Sequence, residues 1–147
     1  MNRHVNAIAG RLSLRYPQRR SLEILDRITE IVPPNKETDL AAALAAISSE
    51  FPTVSDFERD FPSLCFALAT GVGKTRLMGA FISYLHLAHG INNFFVLAPN
   101  MTIYNKLIAD FSDRTHPKYV FKGISEFAID APSIITGDNY DQHDPAS

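Results

Sequence analysis

Leu64-Cys65-Phe66-Ala67-Leu68-Ala69-Thr70-Gly71-Val72-Gly73-Lys74-Thr75 is the stretch that decides the fold. Its first six residues are continuously apolar, the pattern of a strand buried on both faces. Its last six join that predicted strand to a predicted helix over residues 74–89, closed by Gly90. Gly71 and Gly73 permit backbone conformations closed to other residues, so consecutive amide hydrogens can converge on phosphate oxygens. Lys74 adds a flexible positive charge for outer phosphates, the Thr75 hydroxyl can ligate magnesium, and the helix aims its positive end at the same place. Residues 67–75 therefore read as a phosphate-binding loop for a nucleoside triphosphate. An accidental Gly-x-Gly-Lys-Thr is the alternative, and the flanking strand and helix argue against it.

Outward from the loop, Phe94-Phe95-Val96-Leu97-Ala98 is a second buried-strand candidate ended by Pro99, and a helix is expected over residues 102–111. Residues 119–121 and 133–136 are weaker strand candidates. Upstream, residues 17–32 read as a helix with Pro17 in its first turn, Leu22, Leu25, Ile28 and Val32 on one face, and Pro33-Pro34 as its stop. An alanine-rich helix over residues 39–50 is expected, capped by Thr38. This alternation predicts an α/β fold with a parallel sheet flanked by helices, after a helical N-terminal segment. The expected division is residues 1–60, 61–140 for the nucleotide-binding core, and an acidic tail at 141–147.

The 147 residues suffice for one domain, and 46% hydrophobic with 20% charged content is ordinary for a globular chain. A formal charge of -2 excludes no partner class, but its distribution is uneven. Arg3, Arg11, Arg15, Arg19, Arg20 and Arg27 crowd one end; Glu126, Asp130, Asp138, Asp141 and Asp144 occupy the other. An arginine-rich end can meet phosphate. No apolar run is long enough to span a bilayer, and no secretory signal is evident, so a soluble cytoplasmic chain is expected. Cys65, alone and in an apolar run, reads as a buried structural thiol. His86 and His89 share a helix face but lack further ligands, so they read as solvent-facing and not as a metal pair. Phe57, Phe61, Phe94 and Phe95 read as packing residues.

The loop carries Leu68 where the strict phosphate-loop pattern has glycine, and that departure points to a subclass. Ala69-Thr70-Gly71-Val72-Gly73-Lys74-Thr75, together with Arg15-Tyr16-Pro17-Gln18 upstream, resembles the superfamily 2 helicases and translocases, in the branch of the type III restriction enzyme Res subunits. The resemblance implies a partial RecA-like domain and ATP with Mg2+ as cofactors. Its nucleotide contacts would be Arg15, Gln18, Thr70, Gly71, Val72, Gly73, Lys74, Thr75 and Arg76. Lys74 and Thr75 would serve the chemistry, Thr75 as the Mg2+ ligand. A glutamine amide donates and accepts at once, matching adenine's N6 and N7 edge, so Gln18 would select ATP. Residues 95–100 resemble the proline-ended strand that touches the nucleic-acid backbone, implying DNA contacts, single- or double-stranded, by Pro99, Asn100, Thr102 and Asn105. A DNA-methyltransferase subunit is a further implied partner.

Hydrolysis in such enzymes also needs an adjacent Asp-Glu pair and an arginine finger from a second domain. Neither is found, nor is a nuclease constellation. The chain reads as the front portion of a larger motor, or a truncated product. Two alternatives stand beside it: an inert nucleotide-binding module, and an unrelated phosphate-loop enzyme such as a small kinase.

Overall fold

In the computed structural model, residues 2–34, 37–129, 131–137 and 139 are described. Six helices follow in chain order: α1 (Arg3–Arg11), α2 (Tyr16–Ile31), α3 (Leu40–Glu50), α4 (Lys74–His89), α5 (Met101–Ser112) and α6 (Ser125–Ile129). Asn2 opens α1 by accepting the amide of His4 at 2.8 Å, which satisfies one of the orphan donors of a helix start. The start of α3 is capped one residue later than expected. Asp39, not Thr38, accepts from the amides of Ala41 and Ala42. Gly90 ends α4 in the left-handed region at φ 68°, as its position after the last apolar residue requires.

Helix α4 is the axis of the main core. Leu77, Ala80 and Tyr84 lie on one of its faces and are buried against Val5, Ile8 and Leu12 of the α1 region and Leu22 of α2. Leu107 and Phe111 of α5 and the turn residues Tyr119, Val120 and Phe121 complete the cluster. Each such side chain, fully buried, contributes about 1.5–3 kcal/mol. Gly79 lets the turn approach closely, because a Cβ there would lie 2.9 Å from Val120 Cβ. A second core joins α2 to α3 through Ile28, Val32, Ala43, Ile47 and Phe57. Across the same pair of helices, Arg27 forms a bidentate ion pair with Glu50.

The expected parallel sheet is absent: among the described residues there is no strand. This corrects the α/β, RecA-like reading. The run 64–69 carries no regular secondary structure and shows one-sided burial. Leu64 and Phe66 pack on the second core and Leu68 on the first, while Cys65, Ala67 and Ala69 face out. A continuous apolar run cannot by itself distinguish a two-sided strand from a segment laid on helices. Residues 94–98 also make no ladder, and Phe95 and Leu97 remain 89% and 78% exposed. Residues 119–121 are buried in successive turns, with Tyr119 N–H donating to His116 and Ile124 N–H to Phe121. The 133–136 segment ends in a side-chain turn in which Asn139 accepts from the Thr136 amide and donates to the Ile134 carbonyl.

Side-chain expectations change with the sheet. Cys65 is exposed, because it occupies the outer face of the alternating segment. Phe57 is core, but Phe61, Phe94 and Phe95 are exposed. The acidic residues Asp130, Asp138, Asp141 and Asp144 lie outside the described residues, as does the tail 141–147.

Candidate functional site

The alternating segment delivers the chain to the loop from one side, and α4 receives it on the other. Between them, Thr70 and Gly71 form a turn. Gly71 and Gly73 both take positive φ, 82° and 86°. Gly73 sits at the N-cap position of α4 in the left-handed conformation, and no side chain caps it. The first-turn amides of a helix have no intrahelical acceptor, so those of Lys74, Thr75 and Arg76 accompany the positive end of the helix dipole. Ala69, Thr70, Gly71 and Lys74 are exposed, and Val72, Gly73 and Thr75 are half-buried. Lys74 makes no ion pair among the described residues. An anion-receiving turn beside an uncommitted ammonium suits a polyphosphate, and Thr75 supplies a hydroxyl of the kind that ligates magnesium.

Two residues of the upstream element reach this loop across more than fifty positions of sequence. Gln18 is 2% exposed. Its Oε1 accepts from the Arg15 amide at 2.8 Å, and its Nε2 donates to the Gly73 carbonyl at 3.0 Å. Arg15 Nη2 donates to the Gly71 carbonyl at 3.0 Å. The fit is tight, since a Cβ on Gly73 would stand 2.4 Å from Gln18 Nε2. The structure thus brings Arg15, Gln18 and the loop together. Gln18 keeps one amide hydrogen and one oxygen lone pair beyond these bonds. Arg76, in the first turn of α4, donates Nη1 to the Leu12 carbonyl at 2.7 Å and fastens the end of α1 to the same helix start.

The downstream element is separate. Asn100 is the N-cap of α5, its Oδ1 accepting from the Ile103 amide at 3.0 Å. Pro99, Asn100, Thr102 and Asn105 are all exposed. No described hydrogen bond joins them to the turn before α4.

A buried polar cluster between α2 and the end of α4 escaped the sequence reading. Tyr84 Oη donates to Asp26 Oδ1 at 2.6 Å and lies 3.1 Å from Thr29 Oγ1. His89 Nε2 stands 3.0 Å from Thr29 Oγ1 and 3.3 Å from Tyr84 Oη. Burial, and then the Asp26 carboxylate, push the Tyr84 phenol up to about 12. Asp26 and Thr29, set among the apolar positions of α2, were the available signal. His86 is likewise engaged, its Nδ1 3.1 Å from the Ile91 carbonyl. Both histidines are half-buried structural groups and not solvent-facing, and no metal-binding group occurs among the described residues.

Comparison with known proteins adds two matches. The family described as "Type III restriction enzyme, res subunit" matches residues 11–146. The probable type III restriction-modification enzyme HindVIP Res subunit of Haemophilus influenzae is 36% identical over 70 residues. That match covers 43% of this chain and 13% of the relative. No solved structure matches. No helix among the described residues is long and apolar enough to cross a membrane.

Proposed function

Because the chain belongs to the type III restriction enzyme Res-subunit family, we propose that it is the ATP-binding portion of a DNA translocase or helicase of the restriction type. The observation that carries this is the pair of positive-φ glycines, Gly71 and Gly73, opening onto the first turn of α4. Thr70 to Arg76 hold the phosphates through backbone amides, and Lys74 follows the outer ones. Thr75 would hold Mg2+, which would supply charge neutralisation for the phosphates. Arg15 and Gln18 flank the loop, with the free donor and acceptor of the Gln18 amide reading adenine. Pro99, Asn100, Thr102 and Asn105 contact the DNA backbone from their exposed turn. The partners are DNA and a methyltransferase subunit, and the setting is the cytoplasm.

Hydrolysis coupled to movement calls for an adjacent Asp-Glu pair, and no Asp-Glu step occurs in these 147 residues. That observation favours a second reading, a nucleotide-binding module without catalysis of its own. Displacement of a fluorescent ATP analogue by ATP and by GTP tests the adenine assignment. ATP displaces at the lower concentration if Gln18 reads the base; equal displacement contradicts that role. DNA-stimulated phosphate release separates the motor from the inert module.

A further inference from the structure

Cations gather where α1 ends against the turn that follows α5. A groove of about 350 Å³ there is lined by Arg11, Arg76, Lys118 and Lys122, and among the described residues no Asp or Glu lines it. None of the four makes an ion pair among the described residues. All four are exposed. The whole chain is slightly acidic, at -2, so general basicity does not explain four like charges around one hollow.

The backbone beneath them is fastened. A Cβ on Gly123 would lie 2.2 Å from the Arg11 carbonyl oxygen, so the turn lies directly on the end of α1. Three residues earlier, Val120 packs on Gly79 and donates its amide to the Asp110 carbonyl at 2.9 Å. Arg76 holds the Leu12 carbonyl at 2.7 Å. Three chain segments thus bring their cations together through packing and hydrogen bonds, against mutual repulsion. Arg11 also lines a neighbouring groove with Arg3 and His4, where Glu126 is the one acidic residue among the described lining residues. The positive surface therefore continues past the first hollow.

We propose that this groove grips the phosphodiester backbone of a nucleic acid, with Arg11, Lys118 and Lys122 meeting its phosphates and Arg76 linking the grip to the first turn of α4. The arrangement suits a chain of phosphates better than a single small anion. Its charges spread along an open surface on flexible side chains, where a discrete anion site would converge buried donors on one point. The inference rests on the nucleic-acid half of the proposed function and is independent of the nucleotide half.

The test is fluorescence anisotropy of a short labelled DNA duplex with the full chain over a NaCl series. Lys118→Ala/Lys122→Ala should weaken binding and reduce the log–log salt slope by about 2, at about 0.9 per lost phosphate contact. Lys118→Arg/Lys122→Arg should keep both affinity and slope. The alanine pair should bind ATP as the wild type does, whereas Lys74→Ala should lose ATP and keep the salt slope. Wild-type affinity and slope in the alanine pair would overturn the proposal. So would a wild-type chain that binds no duplex, or displacement of duplex by inorganic phosphate as readily as by unlabelled DNA. None of these results bears on the ATP titration, so the two readings fail separately.

Discussion

Gln18 Nε2 donates to the carbonyl oxygen of Gly73 at 3.0 Å, across 55 positions of sequence. The same amide accepts from Arg15 N–H at the start of α2. One buried side chain therefore sets both the first turn of α2 and the N-terminus of α4. The element expected to read a base is also a brace for the turn before α4.

Gln18→Ala should cost about 1–3 kcal/mol of stability, the range for a buried group left without its partner. It removes the acceptor of the Arg15 amide and the donor to Gly73 together. Urea denaturation measures the loss. A variant as stable as the wild type would show that the brace carries no weight.

Gly73→Ala and Gly71→Ala separate conformational strain from crowding. Both positions have positive φ, so an L-residue at either costs about 1–2 kcal/mol. Only at Gly73 does the added Cβ meet the Gln18 amide, at 2.4 Å; at Gly71 nothing lies within 4 Å. Gly73→Ala should therefore be the more destabilising, and equal unfolding midpoints would contradict the packing described.

Tyr84→Phe should destabilise by about 1.5–3 kcal/mol, the range for a hydrogen bond to a charged group, because it leaves Asp26 without the phenol at 2.6 Å. The pH dependence has a definite sign. The folded phenol is raised from 10.0 to about 12, so folding favours its protonated form. That contribution is fully present below pH 10 and is lost as pH rises from about 10 through about 12. Wild-type stability should fall across that window, and Tyr84→Phe should fall less. Parallel curves for the two proteins would contradict the buried pair.

The helices were largely legible because their ends carry local chemistry. Gly90 stops α4 and Pro17 sits in the first turn of α2, whereas the cap expected of Thr38 before α3 is supplied by Asp39. Helix α1 was not foreseen, although Val5, Ile8 and Leu12 have helical spacing. The sheet was misread for a tertiary reason: whether an apolar run is covered on one face or two is decided by what packs on it, and residues 64–69 are covered on one. The turn before α4 was legible as backbone, because Gly71 and Gly73 answer a local demand for positive φ. The Tyr84 cluster was not, because Asp26 and Thr29 meet their partners only when α2 and α4 pack.

The measurement that tests the central claim most directly is calorimetric titration of the chain and of Lys74→Ala with ATP and Mg2+. Lys74 is exposed and makes no ion pair among the described residues, so the variant should keep the wild-type circular dichroism and unfolding midpoint. Saturable binding by the wild type, lost in the folded variant, is the result expected if the turn before α4 receives the triphosphate. Identical isotherms for the two proteins, or no binding by either, would contradict it.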